Sequence, residues 1–224
     1  MAALPVILVL INYPIDGLML LISFSYLSRV GIAPRVGSVR RFRLALYLST
    51  LLFANIGATI DFLMAFLVFD WAVEGLYWVL VLSLALIAIG VSAIWVGIRY
   101  LGLSIWPAII VGFIAILVNF LAWGLLTTVD EAFFLLFCIP WTVAFYLLFV
   151  YYLHRTTYRL STIPSPLETV PGPELAMARR AVDRPVEAVA TTDLGPRRWR
   201  ELEAAVFLSL GIVVGLTFIL PALL

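Results

Sequence analysis

The sequence contains no lysine and no glutamine, and it has one cysteine and one histidine. Because Cys138 is alone, a disulfide within the chain and a CxxC redox or metal motif are excluded. With His154 as the only histidine, a bis-histidine haem site within the chain is excluded as well. Too few ligands remain for an iron–sulfur cluster or a histidine-rich metal site. We therefore expect no metal and no cofactor.

Charge is scarce too, since charged residues make up 12% of the chain and about 25% of an average soluble domain. Hydrophobic residues reach 64%, which is more than a water-soluble core of this size can bury. The net charge of +1 provides no strongly basic surface for nucleic acid. These proportions predict an integral membrane protein. Its expected partner is the lipid bilayer, and we expect it not to bind nucleic acid.

Several apolar runs are long enough to cross the hydrocarbon core, which takes about 20 helical residues. Lipid offers backbone groups no hydrogen-bond partner, so each run is expected to be a helix. The sequence therefore predicts an all-α, polytopic transmembrane helical bundle of about six spanning helices. The predicted spans are residues 4–28, 44–69, 76–98, 104–127, 132–153 and 203–223.

The arginines predict the orientation of these spans. In a six-span bundle, all 14 basic residues fall on one face. The charged residues in the loops of the opposite face are all acidic, namely Asp70, Glu74, Asp130 and Glu131. Since basic loops stay in the cytoplasm, we expect both termini outside. The expected location is the plasma membrane of a prokaryote.

The chain is expected to divide into three regions. Residues 1–153 form a five-helix transmembrane region, 154–202 a Pro/Arg-rich cytoplasmic linker, and 203–224 the sixth transmembrane helix. Six prolines in the linker disfavour a packed core. Pro196 suits the first turn of a helix that runs into the sixth span.

The end of the linker contains a basic and aromatic group. One interpretation is contact with anionic lipid or a partner protein. The other is a passive connector that obeys the positive-inside rule, because acidic residues are interleaved along the linker. The residues of this group are Arg197, Arg198, Trp199 and Arg200.

Two acids and all three asparagines of the chain fall inside predicted spans, although an ionisable side chain there costs about 2.5–3.5 kcal/mol. Counting about 1.5 Å per residue, antiparallel first and second spans match Asn12 with Asp61 in depth, and Asp16 with Asn55. Asn119 of the fourth span lies at the depth of the first pair. The group predicts either a site for a proton, cation, quinone headgroup or polar substrate, or interhelical hydrogen bonds alone.

Small residues predict where helices pack closely. Asp61 shares a stripe with Gly57 and Ala58, which favours close approach of a neighbouring helix. The sixth span carries Gly211-x-x-x-Gly215, a pattern typical of helix packing in membranes.

The sequence has no Walker motif, dinucleotide fingerprint, HExxH or GxSxG, so we expect no enzyme. One hypothesis is a non-catalytic subunit of a larger, respiratory or energy-converting membrane complex, whose partners are other membrane subunits or further copies of the chain. The alternative is a small proton- or cation-coupled transporter or channel that uses the intramembrane Asp/Asn site. The first three spans are not clearly duplicated in the last three, which favours the subunit.

Overall fold

The computed structural model describes residues 4–29, 39–70, 76–126, 131–161 and 194–219. These ranges form six α-helices and one π-helical turn, and they contain no strand. The all-α fold class is therefore confirmed for them. The helices are α1 Leu4–Arg29, α2 Val39–Asp70, α3 Leu76–Tyr100, α4 Ile105–Leu126, α5 Glu131–Ser161 and α6 Pro196–Val214, and the π-helical turn is Gly215–Ile219.

Four stretches of helix are long and apolar enough to cross a membrane, by length and composition. They are Pro5–Tyr26, Arg40–Met64, Val79–Tyr100 and Pro196–Ile219. The chain is accordingly a helical membrane protein. Crossing by α4 and α5, and the side on which each terminus lies, stay predictions.

Helix packing places α1 and α2 at the centre of the bundle. α1 packs against α2 and α5, α2 also packs against α3 and α6, and α3 pairs with α4. The core holds large side chains such as Phe24, Phe42 and Phe53, which are fully buried. Equally large apolar side chains are exposed on the outer faces, among them Phe113 on α4 and Phe207 on α6. Such faces are what lipid contact requires.

The turn between α3 and α4 depends on a glycine. Gly102 has a φ of 67°, a conformation that costs a glycine little because it has no Cβ. This turn lets the Leu103 amide donate to the Gly97 carbonyl at 3.0 Å, which satisfies a carbonyl at the end of α3. Buried Leu101 and Leu103 then anchor the turn in the core.

Close glycine packing is found between α3 and α4. A Cβ on Gly112 would lie 2.9 Å from the Gly90 carbonyl oxygen and 2.6 Å from Ile94 Cγ1. By contrast, a Cβ on Gly211 would meet nothing within 4 Å among the described residues, and one on Gly215 would meet only Ile219 of its own turn. The buried face of α6 is formed instead by Leu202, Val206, Ser209 and Val213. Packing against another polypeptide stays a prediction.

Helices extend into the predicted linker, residues 154–202, from both of its ends. α5 continues to Ser161, and α6 begins at Pro196, which confirms the predicted role of this proline in a first helical turn. Residues 162–193, most of the predicted linker, lie outside the described residues. The division into three regions stays a prediction.

Candidate intramembrane polar site

Asn12 and Asp61 join α1 to α2 in the interior of the bundle. The Asn12 Nδ2 group donates a hydrogen bond of 3.0 Å to Asp61 Oδ2, which confirms the pairing predicted from depth. Gly57 lies beside this bond, since a Cβ there would be 3.7 Å from Asn12 Nδ2. The small-residue stripe of α2 thus gives the amide room to reach the carboxyl group.

Asp16 is the second acid of the site, one helical turn after Asn12 on the same face of α1. Its side chain is 6% exposed, as is that of Asp61. Among the residues that the structure describes, none donates a hydrogen bond to the Asp16 carboxyl, whereas Asp61 accepts one from Asn12, one turn before Asp16. Two carboxyl groups that share a low-dielectric site disfavour double ionisation. The pair therefore accommodates one negative charge more readily than two.

Asn55 makes a contact that the sequence did not predict. Its Nδ2 group donates a 3.0 Å hydrogen bond to Ser209 Oγ on α6, and Ser209 donates in turn to the Val206 carbonyl at 2.9 Å. Asn55 is completely buried, and its Oδ1 atom has no hydrogen-bond partner among the described residues. No described hydrogen bond joins Asn55 to Asp16, and their match in depth stays a prediction.

Asn119 is not linked to the other four residues by any described hydrogen bond. Its Nδ2 group donates to the Ala115 carbonyl of its own helix at 2.9 Å. Among the described residues, α6 is therefore the helix that a hydrogen bond joins to Asn55, and the inclusion of Asn119 in the site stays a prediction. Val9, Ala58 and Val213 form a small buried cluster where α1, α2 and α6 meet.

A cluster of aromatic side chains adjoins the Asp16 segment of α1. Tyr13 stacks on Tyr146 with 5.9 Å between ring centroids, and Phe149 lies edge-on to Tyr13 and Tyr47 at 5.8 Å in both cases. Gly17 lets Phe149 lie against α1, because a Cβ there would be 2.6 Å from Phe149 Cζ. We call Tyr13, Tyr47, Tyr146 and Phe149 the aromatic cluster. It was not predicted, although Tyr13 lies between Asn12 and Asp16 in the sequence.

The basic group at the start of α6 is tied to α3. Glu201 accepts a hydrogen bond from Arg99 at the end of α3, and one of 3.2 Å from Arg197 Nε. Trp199 packs against the buried core, whereas Arg198 and Arg200 are exposed. One acid thus links two arginines of neighbouring helices, and contact of this group with lipid or a partner stays a prediction.

No group of three or more His, Cys, Asp or Glu side chains that could hold a metal ion occurs in the described part of the chain. No protein-family model, no curated protein and no solved structure matches the chain. A functional interpretation therefore depends on the geometry of this site.

Proposed function

We propose that the protein is a small membrane transporter that conducts protons, in which Asp16 binds and releases the proton. One observation carries this proposal. Asp16 is buried at the centre of an apolar helix, it receives no hydrogen bond from a described residue, and it lies one helical turn after Asn12, which binds the second acid, Asp61. A carboxyl group that changes between its charged and neutral forms within the membrane moves a proton.

A purely structural role accounts for Asp61 better than for Asp16. Asp61 receives the hydrogen bond from Asn12 and so helps to hold α1 against α2. Burying an ionisable side chain costs about 2.5–3.5 kcal/mol at the centre of a membrane helix, and no described hydrogen bond offsets that cost at Asp16. A functional role would explain why an acid occupies this position.

We further propose that the chain crosses the plasma membrane of a prokaryote six times, with both termini outside and residues 154–202 in the cytoplasm. The 22 residues of α4 extend over about 33 Å at 1.5 Å per residue, and a bilayer core is about 30 Å thick. The distribution of the arginines supports the orientation.

Cysteine labelling tests the topology, in a background in which Cys138 is replaced by serine. In intact cells, an impermeant maleimide should label Ala72→Cys, which the proposed topology places outside, and should not label Ser165→Cys. Both variants should react after the cells are broken. Labelling of Ser165→Cys in intact cells would show that the orientation is inverted.

Proton flux into proteoliposomes tests the role of Asp16. An imposed membrane potential should acidify vesicles that contain the wild-type protein and a trapped pH dye, and Asp16→Asn should lower the rate to that of protein-free vesicles. Asn119→Ala is the matched control, because that amide bonds only its own helix among the described residues, and it should retain flux. Wild-type flux in Asp16→Asn would refute the proposal.

A second candidate is a non-catalytic subunit of a larger membrane complex, respiratory or energy-converting, with other subunits or a second copy of the chain as partners. The observation that favours it is the open face of α6 at Gly211. If this face packs against another polypeptide, Gly211→Leu should reduce the mass of the particle extracted in mild detergent. An unchanged mass, equal to that of a single chain, would refute assembly. We propose no enzymatic activity for either candidate.

A further inference from the structure

We propose that the aromatic cluster and Asp16 together bind a lipophilic organic cation, which names the substrate class of the transporter. This inference rests on the proposed function, because it takes Asp16 as the group that the proton and the cation share. It goes further, since it assigns a recognition role to the rings of α1, α2 and α5.

The charge of the membrane interior selects for a cation. The two carboxyl groups at membrane depth, those of Asp16 and Asp61, are negatively charged when they ionise. The sequence has no basic residue between Arg43 and Arg99 that could neutralise them. Electrostatic attraction is screened weakly at low dielectric, so one unneutralised carboxylate attracts a cation over several Å. An anionic substrate would meet repulsion at the same place.

The aromatic cluster supplies a second, independent preference for a cation. The faces of tyrosine and phenylalanine rings attract cations, and the attraction is stronger where water is excluded. The rings come from three helices and lie within 6 Å of one another in the pairs already described. They therefore form a compact aromatic surface and are not scattered single side chains.

The cluster adjoins Asp16 on α1. Tyr13 precedes Asp16 by three residues, so the two side chains lie on neighbouring faces of adjacent helical turns. Gly17, the next residue, is the one against which Phe149 packs. Charge and aromatic surface thus come from one short segment of α1, residues 13–17.

Partial exposure explains why the cation would be lipophilic. Phe149 is fully buried and contacts Tyr13 and Tyr47, whereas Tyr13, Tyr47 and Tyr146 are half-buried. Each tyrosine therefore keeps part of its surface uncovered by the rest of the protein. A cation that dissolves in the membrane can reach the rings from the side.

Binding of tetraphenylphosphonium to the purified full-length protein tests the inference. We expect saturable binding at one site per chain, measured by calorimetry in detergent. Triphenylphosphine oxide, which is aromatic but uncharged, should not bind. If both probes bind equally, the surface recognises apolar rings and not a cation, and the inference is wrong.

Three variants assign the binding to the proposed residues. Asp16→Asn should weaken the affinity at least tenfold, and Tyr13→Leu should weaken it by about tenfold, the equivalent of one strong cation–π contact. Tyr13→Phe keeps the ring and should retain binding. Tyr152→Leu, which removes an exposed tyrosine of α5 outside the cluster, is the matched control and should leave the affinity unchanged.

The failure of this inference can be told apart from the failure of the proposed function. Asp16-dependent proton flux without tetraphenylphosphonium binding would overturn the substrate class and leave the proton role intact. Binding that Tyr13→Leu weakens, in a protein without proton flux, would support the cation site and overturn the proton role. Unchanged binding in Tyr13→Leu would overturn the cation site itself.

Discussion

Two helix pairs of this bundle are held together by different means. α3 and α4 meet through the close approach of Gly90 and Gly112, and the only charged residue between positions 76 and 126 is Arg99, near the end of α3. α1 and α2 meet through the hydrogen bond of Asn12 with Asp61, beside the buried Asp16. In the first pair, two helices of this protein pack closely without a described side-chain hydrogen bond or ion pair between them. The acids of the second pair are therefore not required for association alone.

The largest expected effect is on the glycine-packed pair. Gly112→Val would place a Cβ within 3 Å of Ile94 and of the Gly90 carbonyl, and overpacking of this kind costs about 1–3 kcal/mol. The free energy of unfolding, measured by titration with a denaturing detergent, should fall by that amount. Gly211→Val is the control, since nothing described lies within 4 Å. Equal losses in both variants would mean that helix propensity, and not packing, determines the effect.

The hydrogen-bonded pair should show a smaller effect. A double-mutant cycle with Asn12→Ala and Asp61→Ala should give a coupling energy of about 0.6 kcal/mol and not more than about 1.7, the range for hydrogen bonds between membrane helices. The same titration measures it. A coupling energy near zero would indicate that Asn12 and Asp61 do not stabilise the contact of α1 with α2.

The smallest expected effect on stability is that of Asp16→Asn. This change preserves the shape of the side chain and removes no described hydrogen bond, so the free energy of unfolding should not fall. The same variant is expected to lose proton flux, which would separate function from stability at this position. A loss of more than about 1 kcal/mol would place Asp16 with Asp61 as a structural residue, and the contrast between the two acids would disappear.

The contacts that the sequence predicted correctly are those that depend on depth alone. Asn12 and Asp61 lie on helices that follow one another in the chain, so counting residues along two antiparallel helices was sufficient to pair them. The burial of Gly57 and Ala58 followed from the same stripe.

The contacts that were missed depend on how non-consecutive helices are arranged around the bundle. Asn55 faces α6, which is separated from it by more than a hundred residues, and the sequence does not specify that neighbour. Ser209 gave little signal, because a single serine in a membrane helix is common. The contact of Phe149 with Gly17 required knowing that α5 lies against α1.

The two attachments of α6 have a mechanical consequence. Near its start, Glu201 is bound to Arg99, and eight residues later, about 12 Å along the axis, Ser209 is bound to Asn55. A helix that is held at two such points is restrained in tilt as well as in position. Sliding of α6 along α2 would therefore have to break the hydrogen bond of Ser209 with Asn55, on the helix that also carries Asp61.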